Sequence, residues 1–309
     1  LKTYFPKFKN SNKSNLVIRE ILAHQARLKP YIVYWANTLK KNGKFKARTF
    51  KMKKSEKFSI EITDELYLHK KYKRRIYKSI KKSPLEKSKG YKYSGLFFLL
   101  LPEIIQELTG ENLENHLYKN IYQPIGANRL LYNPLNKFPK SKIIPTERDT
   151  FFRKKQVHGK VHDEAAAMLE GISCNAGLFG NAEDLFKLFQ LYLNNGTYDG
   201  QQIIAEKAIK EFTRCQFCES GNRRGLGFDK PPVEYVEGGS YVAKDASPES
   251  FGHSGFTGTF VWADPNNNSI LIFLSNRVYP TRDNRKLYSM NIRPRMHQAV
   301  YDFFENKKR

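Results

Sequence analysis

Three stretches of this sequence hold residue types at spacings that could do chemistry. In Gly252-His253-Ser254-Gly255-Phe256-Thr257-Gly258-Thr259 a histidine and a hydroxyl stand among three glycines. Glycines so placed keep one side of a strand bare and let another backbone come close, so His253 and Ser254 would be displayed on an exposed strand edge. Two histidines and two carboxylates gather in His158-Gly159-Lys160-Val161-His162-Asp163-Glu164, a set that could bind a cation. Cys215-Gln216-Phe217-Cys218 has zinc-knuckle spacing. No second Cys or His pair follows at a usable distance, so neither metal nor any other cofactor is expected.

The glycine-rich stretch needs a sheet to position it. It continues through Phe260-Val261-Trp262-Ala263-Asp264-Pro265 and Asn266-Asn267-Asn268 into Ser269-Ile270-Leu271-Ile272-Phe273-Leu274. That pattern predicts strand, tight turn and strand, with hairpin chemistry from Asp264 to Asn268. Strand signals dominate from Gly225 to Leu274, and a closing helix over 294–304 places Met296, Val300, Phe303 and Phe304 on its apolar side. Upstream, Asn181 caps a helix with a stripe of Leu185, Leu188, Phe189, Tyr192 and Leu193 that stops at Asn194-Asn195-Gly196.

Earlier in the chain, Ser14 or Asn15 caps a helical pattern through Val17, Ile18, Ile21 and Leu22 that reaches Leu28 before Pro30. Residues 31–57 read as loop, 58–68 as a strand, and 72–82 as a basic helix ended by Pro84. Leu96 to Leu108 is apolar on nearly every face, which predicts a helix buried all round. A shorter helix follows over 111–121. Residues 130–161 form a long irregular segment of the kind that is either functional or a linker. Helices in the middle, a late antiparallel hairpin and a helix to cover it make an α+β plan in two layers.

Composition narrows the function classes. The chain has 309 residues, 40% hydrophobic and 14% aromatic, which is globular rather than disordered. No apolar run is long enough to span a bilayer. The three cysteines do not make a disulfide framework. Net charge is +24, and residues 40–89 hold 19 Lys or Arg against 5 Asp or Glu, so 19 − 5 = +14 of the excess sits in that stretch. These are lysines scattered among polar and aromatic residues, which suits a solvated face, and nucleic acid is not expected as a partner.

Several motifs, in order, resemble the serine β-lactamase and penicillin-binding-protein superfamily, in particular the class C β-lactamase-related hydrolases and esterases. They are Ile18-Arg19-Glu20-Ile21-Leu22-Ala23-His24, Tyr93-Ser94-Gly95, Gly110-Glu111-Asn112-Leu113 through Gln123-Pro124-Ile125-Gly126, Gly177-Leu178-Phe179 leading into Asn181-Ala182-Glu183-Asp184-Leu185, and Gly252 to Gly258. The resemblance implies a β-lactamase/transpeptidase-like fold, with an antiparallel sheet flanked by helices and a mostly helical subdomain. It would be one domain over 1–309, with a basic insertion at about 31–90 and the late strands and terminal helix at about 215–309. It also implies acyl-enzyme chemistry on an ester, amide or peptidoglycan-type substrate. Tyr93 would be the acid/base, and His253 would stand at the lysine position of the third motif. Ser254 would bind substrate carboxylate or carbonyl, and Gly255, Phe256 and Thr257 would line the oxyanion side, with the Phe256 N–H as one donor. Tyr93 and His253 are expected at one cleft. The His158 to Glu164 turn would be structural or line the site.

The same resemblance marks departures. Its Ser-x-x-Lys nucleophile should precede the Ile18 to His24 helix, and residues 1–15 contain none. The internal match, Ser79-Ile80-Lys81-Lys82, lies too near Tyr93 and on a basic helix face. The nucleophile is therefore expected upstream of Leu1, with the chain an amino-terminally truncated piece that shows no signal peptide. Gly95 replaces a side-chain amide or carboxylate, Arg27 stands at a glycine position, and Ser173-Cys174-Asn175 replaces a small-Gly-His stretch. Alternatives are a catalytically inactive binding module, or an accessory domain fused behind a β-N-acetylglucosaminidase-type glycoside hydrolase. The implied setting is periplasmic or cell-surface. Because neutral histidine replaces a cation, neutral esters or amides should be preferred, and His253→Lys should favour carboxylate-bearing substrates by about 1–2 kcal/mol.

Overall fold

A computed structural model describes residues 1–308. The chain divides into two compact units whose segments alternate along the sequence: Leu1–Lys119 with Leu131–Phe179, and Asn120–Leu130 with the chain from Gly180 onward.

The first unit contains α1 (Ile18–Leu22), β1 (Phe50–Lys51), β2 (Ile60–Thr63), β3 (Leu66–Leu68), α2 (Tyr72–Lys82), α3 (Leu101–Thr109), α4 (Leu113–Leu117), β4 (Pro145–Arg148), β5 (Gln156–His158) and α5 (Glu164–Ala167). β1, β3 and β2 form an antiparallel sheet in that order. The core gathers Phe5, Phe8, Ile21, Ile76, Ile80, Phe97 and Leu100 among others. In α2, Tyr72, Ile76 and Ile80 recur every four residues and are buried, which leaves the cations on the solvent side. Its end is held by the buried Lys13, whose Nζ donates to the Ser83 carbonyl at 2.5 Å, a cation where the helix dipole is negative.

Three expectations for this unit are corrected. The first helix covers only Ile18–Leu22 and has no side-chain cap. It stops there because His24 and Arg27 take left-handed φ values of 56° and 59°. The single strand over 58–68 is instead a hairpin, β2 and β3, turning where Glu65 has φ 59°. The all-apolar run does not make one buried helix: Leu96 to Leu100 are turns with Phe97 and Leu100 in the core, and α3 begins at Leu101 with Pro102 in its first turn. Proline starts a helix readily but cannot continue one. α3 then buries Ile104 and leaves Leu108 61% exposed.

The second unit contains α6 (Ala182–Leu193), β6 (Thr197–Tyr198), β7 (Gln201–Gln202), α7 (Glu206–Thr213), β8 (Phe251–Ser254), β9 (Phe260–Asp264), β10 (Ser269–Phe273), α8 (Lys286–Ser289) and α9 (Ile292–Lys308). Asn181 caps α6 by accepting the Asp184 N–H at 3.0 Å. Within the stretch from Gly225, where strand signals dominate, the first strand is β8 at Phe251, preceded only by an isolated bridge from Asp229 to Gly252. β9 lies between β10 and β8, antiparallel to both. Alternation sends Val261 and Ala263 to one face, with Phe251 and Phe189 of α6. Phe260 and Trp262 go to the other, against Val242 and the His297 ring of α9.

The inward stripe of α9 is another correction. Arg293, His297 and Tyr301 are buried, while Met296 and Phe303 are 41% and 54% exposed. Polar groups face in because each meets a partner: Tyr301 Oη donates to Asp264 at 2.7 Å, and His297 Nδ1 accepts the Ala243 N–H at 3.1 Å.

Candidate active site

The third-motif hairpin is built by close approach. A Cβ on Gly252 would lie 2.2 Å from the Val261 carbonyl oxygen and 2.5 Å from the Trp262 ring. Glycine is required there for β8 to lie against β9. In the turn, the Gly255 N–H donates to Thr259 O at 2.8 Å and the Gly258 N–H to Gly255 O at 3.1 Å. Gly258 has φ +124°, which a side chain would strain.

Two arginines gather this turn's carbonyls. Arg293 donates to Gly255 O at 2.8 Å and Thr259 O at 3.0 Å. Arg277 donates from Nε to Phe256 O at 2.8 Å and from its backbone to Thr257 O at 3.0 Å, with its guanidinium 4.4 Å over the Phe256 ring. In a trans peptide the N–H points opposite to the carbonyl. With Gly255 O aimed at Arg293, the Phe256 N–H points away from that arginine.

His253 is held at both ring nitrogens. Arg224 donates to Nε2 at 3.1 Å, so Nε2 carries no proton. Nδ1 is then the protonated nitrogen and donates to the Ser254 carbonyl at 2.9 Å. Burial depresses the His253 pKa, and the Arg224 guanidinium depresses it further. The ring is neutral by construction. Arg223 and Arg224 share Asp229, at 2.8 Å and 3.2 Å. Burial opposes ionisation of Asp229, but the two guanidiniums outweigh it and hold its carboxyl below the usual range.

Tyr93 belongs to the first unit, 48% exposed, its ring centroid 4.3 Å from that of His24. His24 Nδ1 accepts the Ser94 N–H at 3.2 Å, and Ser94 Oγ donates to Lys29 O at 2.6 Å. Arg27 and Glu86 exchange two further bonds at 2.7 and 2.8 Å. The left-handed residues His24 and Arg27 thus turn segment 24–29 alongside segment 86–94 and fix the backbone under Tyr93.

Other predicted groups have protein partners. His162 pairs with Glu147 at 2.7 Å, His158 Nε2 meets Ile143 O at 2.6 Å, and Asp163 caps α5 at 2.7 Å. Among the described residues no three His, Cys, Asp or Glu converge on a cation position. Cys215 and Cys218, the pair with zinc-knuckle spacing, form a single disulfide with Cα atoms 5.9 Å apart. Burial pushes the remaining thiol, Cys174, up to about 12. Ser79 is exposed and donates to Arg75 O within α2 at 2.9 Å.

The structure therefore keeps His253, Ser254, Gly255, Phe256 and Thr257 in one hairpin and sets the Tyr93 ring against His24, with Asn175 next to Gly95. Sequence reasoning missed Arg224, Arg277, Arg293 and Asp229. Only Arg293 left a signal, as the first member of a four-residue repeat with His297 and Tyr301.

A family model described as Beta-lactamase matches residues 1–290. The chain belongs to the Beta-lactamase family. Among curated proteins it is 34% identical over 226 residues to one of Escherichia coli K12 named "Putative D-alanyl-D-alanine carboxypeptidase", covering 67% of this chain and 50% of that protein. A protein of the same name from Salmonella enteritidis is 33% identical with the same coverage. The chain thus spans about half the length of the curated relatives it matches. Among solved structures, a penicillin-binding protein homologue from Caulobacter crescentus superposes with TM-score 0.54 at 18% identity, covering 89% of this chain and 69% of that one. A D-stereospecific amidohydrolase from Streptomyces gives TM-score 0.54 at 13% identity, covering 88% and 72%. These likenesses show the fold, so the α+β, β-lactamase/transpeptidase-like plan is borne out. The family is that of the β-lactamase-fold serine hydrolases. No described helix is long and apolar enough to cross a membrane.

Proposed function

We propose that this chain is the body of a serine acyl hydrolase that works on a peptidoglycan-type peptide, amide or ester in the cell envelope, with its nucleophilic serine outside these 309 residues. The observation that carries the reading is the arginine-held turn 255–259, which aims the Phe256 N–H away from Arg293. In this reading Ser254 and the Phe256 N–H bind the acyl carbonyl as charge develops on its oxygen. Tyr93 moves the proton between nucleophile and leaving group. His253 orients the strand through Ser254 and brings no charge. The curated relatives' name supports a D-alanyl peptide as the substrate class.

The test is covalent labelling with a fluorophosphonate and a fluorescent penicillin. The 309-residue chain should give no adduct, whereas the protein extended through its upstream coding sequence should be labelled at a Ser-x-x-Lys serine. Labelling of Ser79 in the short chain would overturn the assignment of the nucleophile. Failure of both forms to label would favour the inactive binding module. The neutral, fully engaged His253 and the bare Gly95 are the observations on that side.

A further inference from the structure

Gly95 is unlike the glycines of the hairpin. It is absent from the positive-φ residues, and a Cβ built on it would meet only Asn175, with Cβ and Nδ2 each at 3.8 Å, which is ordinary contact. Neither backbone conformation nor crowding demands glycine there. What its bare face does is expose the Asn175 amide two residues from Tyr93.

That amide is oriented. Ser173 Oγ accepts the Asn175 backbone N–H at 3.3 Å and sends its own hydrogen to Asn175 Oδ1 at 2.5 Å. The segment is anchored to the residues after the tyrosine by Cys174 N–H to Phe98 O at 3.2 Å. Oδ1 is occupied by Ser173, and the NH2 group lies on the Gly95 side. Among the described residues this NH2 donates to no protein acceptor, and Asn175 is half-buried. A half-buried pair of N–H donors next to Gly95, two residues along the chain from Tyr93, can receive a hydrogen-bond acceptor from outside the protein.

We propose that Asn175 is a substrate-binding residue whose Nδ2 donates to a carbonyl oxygen of the acyl or peptide portion of the substrate beside Tyr93, and that Ser173 positions it. The proposal rests on the hydrolase reading above and deepens it. With Oδ1 engaged, the group presents donors, so it selects for carbonyl acceptors and against ammonium groups.

The probe is diacetyl-L-lysyl-D-alanyl-D-alanine, titrated into the full chain by calorimetry and by NMR of the side-chain amides, with the Asn175 NH2 signals assigned by their loss in Asn175→Asp. Wild type should bind and the Asn175 NH2 signals should shift. Asn175→Ala should weaken binding about 5–10-fold, the worth of one neutral hydrogen bond. Asn175→Asp, which presents acceptors to a carbonyl, should weaken it more. Gly95→Asn combined with Asn175→Ala should recover part of the loss, because it returns an amide to the same space. Equal binding by wild type and Asn175→Ala with unmoved NH2 signals would overturn the role of Asn175 and leave the hydrolase reading standing. No binding by wild type, with unchanged NH2 signals, would count against the peptide substrate and the proposal together. Circular dichroism melts confirm that each variant is folded.

Discussion

Arg224 donates to Nε2 of His253 at 3.1 Å, and this single contact decides the charge of the third motif. A guanidinium is always protonated, so the ring nitrogen facing it must be the bare one. The sequence reading expected His253→Lys to redirect selectivity toward anionic substrates. The structure adds a cost: a lysine ammonium there would face Arg224, while Asp229 is already shared between Arg223 and Arg224. His253→Lys should lose about 2–4 kcal/mol of stability, whereas His253→Gln, whose carbonyl can accept from Arg224, should lose about 1 kcal/mol. Urea midpoints measure both. A lysine variant as stable as wild type would mean that Arg224 does not enforce the neutral ring.

Acid should destabilise the second unit through His297. Burial lowers its pKa to about 4, and Nδ1 accepts the Ala243 N–H, so the folded form holds the ring neutral. Its unfolded pKa is about 6.5, so between pH 6.5 and 4 the unfolded chain binds the extra proton. Stability is therefore full above about pH 6.5 and falls as pH drops toward 4, by on the order of 3 kcal/mol. His297→Asn keeps an acceptor for Ala243 and does not titrate. Its melting temperature should drop less than that of wild type from pH 7 to pH 4.5, and parallel drops would locate the acid sensitivity elsewhere.

Arg27 occupies a left-handed position with φ 59°, where glycine would be unstrained. Its Nε donates to Glu86 O at 2.7 Å, which offsets the strain. Arg27→Ala keeps the strain and loses the bond, so it should cost about 1–2 kcal/mol. Arg27→Gly loses the bond but relieves the strain, and should be about 1 kcal/mol more stable than the alanine variant. Equal urea midpoints for the two variants would show that backbone strain at this site is negligible.

The legible parts of the fold are those in which one local signal decides. The Asp264 to Asn268 turn, the Asn181 cap and the basic helix over 72–82 needed only neighbours in sequence. Elements misread from the sequence were decided at long range. Leu96 to Leu108 is one apolar run, yet Pro102 starts a helix inside it and the core takes the preceding turns. α9 was misread because apolarity served as the guide to its buried face, while Arg293, His297 and Tyr301 are buried by partners 34 to 54 residues away in sequence. In the candidate site, His253 and Ser254 were visible as residue types. Arg224, whose guanidinium sets the state of His253, sits 29 residues upstream with no periodicity to mark it.

The last prediction concerns Arg293, which ties α9 to the third-motif turn. Its guanidinium gives N–H bonds to Gly255 O and Thr259 O and is almost fully buried. Both carbonyls keep a second partner in the turn, Gly258 N–H and Gly255 N–H, so losing the arginine removes charge-assisted bonds without stranding an acceptor. Arg293→Met keeps the aliphatic volume and should cost about 2–4 kcal/mol. The distinguishing effect is local. Amide exchange at Gly255 and Gly258 should accelerate more than at the β9 residues Val261 and Ala263, because the turn loses its anchor while the sheet ladder remains. Arg293→Lys can reach one carbonyl but not span both, so it should recover less than half of the lost stability. Uniform acceleration across the whole hairpin would show that Arg293 supports the sheet in general and not the turn that presents the Phe256 N–H.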